Sequence, residues 1–314
     1  MSWILTAILL VVFGFVLLSP LESLRWWSSK GEEEVRATFE ELSDAELPPV
    51  RHKGQFAVFL SGIGTLSGTE LTKRETAFVE ALREELPDLV VVDDVFPYAV
   101  DNRGLNQRVG MRIWKWLDRM RRRWPLSPLP YLIQVRNVGH VLVSADPRYG
   151  PTYSIGLAQE IWRGLQRRGY RAGSGDPVII IGYSGGGQVG LGAAWFLAGV
   201  GVPVSMISIG GVFGDDPGLD RLDHLWDLYG TRDSVRYLGP IAFPGRWPTA
   251  PLSRWARAKR EGRVTPIEIG TMKHDGPDAY FGRRKFGADG RPHADATREA
   301  VAAILREQAG QSAA

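Results

Sequence analysis

The sequence predicts an α/β fold, a mostly parallel central sheet with helices on both faces, preceded by one membrane-spanning helix. Three observations lead there. Short β-branched runs alternate with helical patterns from about residue 55 onward. One such run, Val178-Ile179-Ile180-Ile181, passes at once into Gly182-Tyr183-Ser184-Gly185-Gly186 and then into a small-residue helical stretch. Near the N-terminus, Trp3 to Leu21 carries no charged side chain, over a length that matches the hydrocarbon core of a bilayer.

That first segment is expected to be an uncleaved single-pass anchor over residues 1–21, with Trp26 and Trp27 where an aromatic belt would sit. A signal peptide is the competing reading. Against it, Met1-Ser2 has no basic side chain and Ser19-Pro20-Leu21 is not a small-x-small cleavage site. Arg25 and Lys30 follow the span and nothing basic precedes it, which puts the large domain on the cytoplasmic side. Residues 22–54 read as a polar collar: Gly31-Glu32-Glu33-Glu34 opens a helix with Val35, Phe39 and Leu42 on one face, ended by Pro48-Pro49.

The catalytic-size domain spans 55–308. Strands are predicted near 56–61, 89–94, 178–182, 203–209, 224–229 and 264–269, and helices near 69–86, 105–123, 153–168, 186–199 and 294–308. Residues 101–150 are expected to form a cap or membrane-facing insertion, and 309–314 a disordered tail.

Composition removes several classes. A chain of 314 residues, 44% hydrophobic and 23% charged, suits one large core. A net charge of +3 is far from the Lys/Arg field that nucleic acid requires, so no nucleic-acid partner is expected. The absence of cysteine excludes disulfides, thiolate nucleophiles and Cys-ligated zinc. Asp215, Asp216, Asp220, Asp223 and His224 cluster without an EF-hand or H-E-x-x-H spacing, and read as a solvated acidic loop rather than a metal site.

Gly182-Tyr183-Ser184-Gly185-Gly186 fits G-x-S-x-G, in which a sharp strand-to-helix turn lifts the serine hydroxyl clear of the sheet. Ser184 is the candidate nucleophile. A serine hydroxyl needs a base to take its proton and a carboxylate to orient that base, and behind such an elbow the acid and then the histidine follow in chain order. Leu225 to Tyr229 reads as a strand that breaks at Gly230 and delivers Asp233 just past its end, so Asp233 is the expected acid. Asp227, inside that strand, is the second choice, because an unpaired carboxylate there would be costly. Pro266 to Gly270 gives the last strand, and His274 in the loop after it is the expected base. His52, His140, His224 and His293 are read as structural or exposed. The oxyanion requires two backbone N–H donors. Gly185 supplies the first, and Ile63, in Ser61-Gly62-Ile63-Gly64 after the first strand, the second.

These residues carry a resemblance to the α/β-hydrolase superfamily, extending from about Gln55 to Glu307, with the strand, elbow and helix around Ser184 as its specific piece. The resemblance implies a Ser-His-Asp hydrolase that forms a covalent acyl-enzyme and uses no cofactor. It does not name the substrate; a small-molecule or lipid ester is expected, the lipid preference resting on the membrane location alone. The early loop departs from the family pattern, reading Ser-Gly-Ile-Gly where many lipases show His-Gly.

Two rival readings and one accessory surface complete the sequence expectations. Gly62-Ile63-Gly64 with Gly68, followed by Asp93-Asp94, resembles half of a dinucleotide-binding unit, although the glycine spacing is too long for the fingerprint. A membrane-tethered scaffold without turnover is the non-enzymatic alternative. Leu105, Val109, Ile113, Trp116 or Leu117, Met120 and Trp124 recur at helical spacing, opposite a face crowded with arginine, which predicts a basic amphipathic helix near 105–123 able to lie on anionic lipid. The Trp- and Arg-containing segment 236–262 is expected to wall the pocket.

Overall fold

The computed structural model describes residues 55–63, 71–97, 129–146, 150–284 and 290–313. The expected anchor over 1–21, the collar helix and the basic helix over 105–123 lie outside these residues. Among the described residues, no helix is long and apolar enough to cross a membrane.

Six strands, β1 (Gln55–Leu60), β2 (Leu89–Val92), β3 (Val178–Tyr183), β4 (Val204–Ile209), β5 (Leu225–Gly230) and β6 (Val264–Gly270), form one sheet in the order β2-β1-β3-β4-β5-β6. Every pairing is parallel. A parallel sheet covered on both faces is built from continuous apolar strands rather than alternating ones, which is how β1, β3 and β4 read. Alternate side chains of each strand enter opposite cores. Phe56, Val58 and Leu60 join Val178 and Ile180 on one face, while Ala57 and Phe59 join Ile179 and Ile181 on the other. Each buried Val, Leu, Ile or Phe among them contributes about 1.5–3 kcal/mol by leaving water.

The first face is covered by α3 (Gly150–Arg167) and α4 (Gly186–Gly199), through residues such as Ile161, Leu165, Val189 and Leu197. The second is covered by α1 (Lys73–Glu85) and α7 (His293–Ala313), through Phe78, Leu82, Val301 and Leu305. Glu85 of α1 receives both Arg298 and Arg306 of α7, which ties these two helices together. Helix α1 begins at Lys73, later than the periodicity suggests, because Thr72 and Glu75 form a capping box that fixes its start. Strand β2 stops at Val92, and Asp93 and Asp94 beyond it pair with Arg83, Arg167 and Arg168.

Two departures from the sequence expectations have clear causes. Residues Leu129–Ala145, inside the expected insertion, form a helix, α2, that packs against α3 and α4 as part of the core layer. Its valines and its glycine are weak helix formers, so tertiary packing rather than propensity sets its state. At the C-terminus, α7 continues to Ala313 where a disordered tail over 309–314 was expected. Gln308, Ala309, Gln311 and Ala313 favour helix, and the single Gly310 does not stop it.

Strands β1 and β3 are neighbours, yet the chain leaves them toward opposite edges of the sheet. Their C-terminal ends therefore flank a topological switch point, where α/β sheets open a crevice for ligands.

Candidate active site

Ser184 sits at this switch point, immediately after β3. Its backbone φ is +54°, and it is the only non-glycine residue among those described with a positive φ. A side chain held in that region costs free energy and persists only where the surroundings impose it. Three hydrogen bonds do so here: Ser184 N–H donates to Ile209 at 3.0 Å, and its carbonyl accepts from Gly187 at 3.0 Å and Val212 at 3.1 Å. The elbow also needs a close approach on its far side. A Cβ on Gly186 would lie 2.5 Å from the Leu60 carbonyl oxygen, so only glycine lets α4 start this near β1.

Ser184 Oγ lies 2.7 Å from His274 Nε2, and His274 Nδ1 lies 2.9 Å from Asp233 Oδ2. Asp233 only accepts, so its partner nitrogen Nδ1 carries the proton and Nε2 is left to accept from the serine. Strand β5 ends in an irregularity at Tyr229 and Gly230, after which Thr231 N–H bonds to Gly270 and the chain turns Asp233 inward. Its carboxylate is fully covered, while the His274 side chain keeps 14% of its surface in solvent. Oδ1 of Asp233 accepts Val235 N–H at 2.9 Å and Arg236 N–H at 3.3 Å. Burial alone would raise this carboxyl, but the hydrogen bonds and charge from His274, with Tyr280 and Arg236 N–H, hold it below the usual carboxylate value.

The two expected oxyanion donors flank the serine. Gly185 follows it at the start of α4, and the 61–63 turn lies beside it: a Cβ on Gly62 would be 3.1 Å from Ser184 Cβ. Among the described residues, neither Gly185 N–H nor Ile63 N–H is given to another protein acceptor. The turn is held from both sides. Asn137 of α2 donates to the Ile63 carbonyl at 2.7 Å, and buried Glu75 of α1 takes a hydrogen bond from Gly62.

The second-choice acid does not reach the histidine. Asp227 accepts from Ser208 Oγ at 3.0 Å on the face of the sheet away from His274, so it is paired in place, and desolvation raises its carboxyl. The remaining described histidines have other partners: His140 lies beside the Tyr153 ring, His224 bonds Thr265 Oγ1 and His293 bonds the Asp278 carbonyl.

Sequence reading missed two tyrosines. Tyr183, the variable position of the elbow motif, donates its phenol to the His274 carbonyl at 2.6 Å and stacks on the imidazole. Tyr280 donates to Asp233 Oδ2 at 2.7 Å. No spacing rule marks either one: Tyr183 ends β3, and Tyr280 is brought in by the loop that returns from His274 to α7.

The residues of the rival readings have other partners. Gly62 serves the turn beside Ser184, and Asp93 and Asp94, which border a cavity of about 520 Å³ at the β2 edge, face arginines. In the acidic loop, Asp216 caps a short turn at Pro217–Asp220, Asp215 accepts Trp255 N–H, and Asp220 pairs with Arg254 and Arg257. Among the described residues, no group of three or more His, Asp or Glu side chains is placed to hold a metal ion. The segment after Asp233 forms short turns, α5 (Leu238–Ala242) and α6 (Arg254–Arg260), and leaves Tyr237, Leu238, Ile241, Trp247 and Leu252 exposed.

The six parallel strands, the elbow after β3 and the late acid and histidine make this an α/β protein whose architecture is consistent with the α/β-hydrolase fold. No protein-family model and no curated protein matches the chain. Among solved structures, the chain is similar to a Klebsiella pneumoniae subsp. pneumoniae protein named as a dienelactone hydrolase, at 13% identity and a TM-score of 0.45, over 82% of this chain and 90% of that one.

Proposed function

We propose that the protein is a membrane-anchored serine hydrolase that cleaves a carboxylic ester, with Ser184 as nucleophile, His274 as general base and Asp233 as the acid that orients it. The observation that carries this reading is the continuous hydrogen-bond chain Ser184–His274–Asp233, at 2.7 and 2.9 Å, ending on a serine held at positive φ.

In the reaction, Ser184 Oγ bonds to the ester carbonyl carbon as its proton passes to His274 Nε2. The carbonyl oxygen becomes an oxyanion facing Gly185 N–H and Ile63 N–H, each such donor supplying about 3–4 kcal/mol of barrier lowering. The tetrahedral species expels the alcohol, which takes the proton from His274, and leaves an acyl-enzyme. Water then gives a proton to His274 and adds to the acyl carbon, and Ser184 leaves with that proton. Asp233 remains ionised throughout and stabilises the imidazolium.

The uncharged run Trp3–Leu21 supports the anchor, and Arg25 and Lys30 support a cytoplasmic domain. The exposed apolar side chains after Asp233 suit an ester with a hydrophobic acyl part.

Labelling by a fluorophosphonate probe and turnover of p-nitrophenyl esters of increasing chain length test this reading on wild type and Ser184→Ala. Labelling and turnover of the wild type, both lost in the variant, are expected. A folded wild type that neither labels nor turns over leaves the non-catalytic scaffold as the reading.

A further inference from the structure

We propose that Tyr280 is a positioning residue for this reaction: its phenol locks the Asp233 carboxylate toward His274 and limits how much of that carboxylate's charge the imidazole feels. The proposal rests on the Ser184–His274–Asp233 reading.

The direction of the key hydrogen bond is determined by its neighbours. Tyr280 Oη lies 2.7 Å from Asp233 Oδ2 and also accepts Gly230 N–H at 3.0 Å. A phenol has one proton, and Gly230 can only donate, so that proton points at Asp233. Oδ2 therefore holds two donors, His274 Nδ1 and Tyr280 Oη, while Oδ1 holds the amides of Val235 and Arg236. The carboxylate has no lone pair to spare for another orientation.

Tyr280 is itself immobilised. It is fully buried, and Thr297 Oγ1 in the first turns of α7 donates to its carbonyl at 2.8 Å. Gly210, at φ +53° after β4, gives it room: a Cβ there would fall 2.6 Å from the ring and 2.9 Å from Asp233 Oδ2. Desolvation first, and then the adjoining Asp233 charge, hold the phenol well above its ordinary pKa, so it remains a donor wherever the site operates.

A donor on Oδ2 draws charge from the atom that faces the imidazole. Without it, the carboxylate would favour imidazolium more strongly in the resting site, and the base would be blocked by a proton up to a higher pH. Among the described residues, the other ionisable groups around the triad include Tyr183 on the imidazole face, Glu75 against Gly62, Lys273 and Asp275 in its loop with Asp278 paired to Lys273, Arg74 reaching Gly276 from α1, Arg236 beyond Asp233, and Asp227 in β5 with Arg246 facing it. Tyr280→Phe alters none of these.

The test uses the full chain and a p-nitrophenyl ester, with kcat and kcat/KM measured from acid to alkaline pH. For Tyr280→Phe, the acid limb is expected to move up by roughly 0.5–1 pH unit and kcat to fall roughly three- to tenfold, with KM little changed. Replacement of Tyr280 by 3-fluorotyrosine keeps the ring and strengthens the donor, and is expected to move the limb the other way. In an Asp233→Asn background, Tyr280→Phe is expected to change kcat less than about twofold, because the two act as one unit. An unmoved acid limb in both Tyr280 variants, with normal fluorophosphonate labelling, overturns this role and leaves the triad standing. So does an undiminished loss in the Asp233→Asn background. Failure of the folded wild type to label overturns the triad reading instead.

Discussion

The phenol of Tyr183 donates to the backbone carbonyl of His274 across 91 positions of sequence, at 2.6 Å, while its ring stacks on the imidazole at 5.7 Å. The residue that precedes the serine thus holds the loop that carries His274. Tyr183→Phe keeps the stacking and leaves that carbonyl without its donor, a loss of about 1–3 kcal/mol. Calorimetry is expected to record a Tm lower by several degrees, and ester assays a kcat reduced roughly tenfold with KM nearly unchanged.

Asp233 and Asp227 make a matched pair for testing which carboxylate works with His274. Asp233→Asn is expected to lower kcat by roughly 10³–10⁴-fold, because an amide cannot hold the required tautomer. Asp227→Asn leaves the Ser208 contact available and is expected to stay within about tenfold of wild type. Comparable losses in the two would show that the acid has been misassigned.

Asp216 gives the protein a pH-dependent stability away from the triad. It is buried between Gln188 Nε2 at 2.7 Å and Gly218 N–H at 2.8 Å, and desolvation raises its pKa from 3.8 to about 6. The folded chain therefore holds this proton more tightly than the unfolded chain does. That contribution is complete below about 3.8 and is lost as the pH climbs through about 6. Wild-type Tm is expected to drop between pH 5 and pH 7 by more than that of Asp216→Asn. Parallel curves for the two proteins would contradict the assignment.

Gly186→Ala tests the close approach behind the elbow. With its Cβ 2.5 Å from the Leu60 carbonyl oxygen and 2.9 Å from that of Ser61, either α4 or the turn carrying Ile63 must move. Such overpacking typically costs about 1–3 kcal/mol. Chemical denaturation is expected to show that loss, and fluorophosphonate labelling of Ser184 to slow more than stability alone explains.

How much of this was legible in the sequence follows from where each signal resides. Strand positions were readable because strands buried on both faces must be continuous apolar runs, as in Val178–Ile181. That Ser184, Asp233 and His274 come together was readable because each lies just past the end of a strand, and parallel strands gather those ends at one edge of the sheet, even though β5, broken by Asp227, and the half-exposed β6 are not continuous apolar runs. The α2 helix was not, since Leu129–Ala145 has weak intrinsic propensity and is helical through its packing on α3 and α4. Nor were the tyrosines: Tyr183 and Tyr280 act through hydrogen bonds spanning 91 and 47 positions, distances at which local pattern carries no information. The pairing of Asp227 with Ser208 was equally hidden, because it depends on the register between β4 and β5.

The order of the three side chains along the chain has a consequence for biosynthesis. Asp233 follows Ser184 just past the end of another strand, and His274 comes 90 residues after the serine, in the loop after β6, the strand nearest the C-terminus. On the proposed reading, a polypeptide emerging from the ribosome exposes Ser184 long before its base exists, and His274 is held in place only when β6 and α7 have docked. A half-made chain would therefore be harmless to nearby esters. Chemical competence would arrive late and all at once, so that a reactive serine would itself certify a finished molecule.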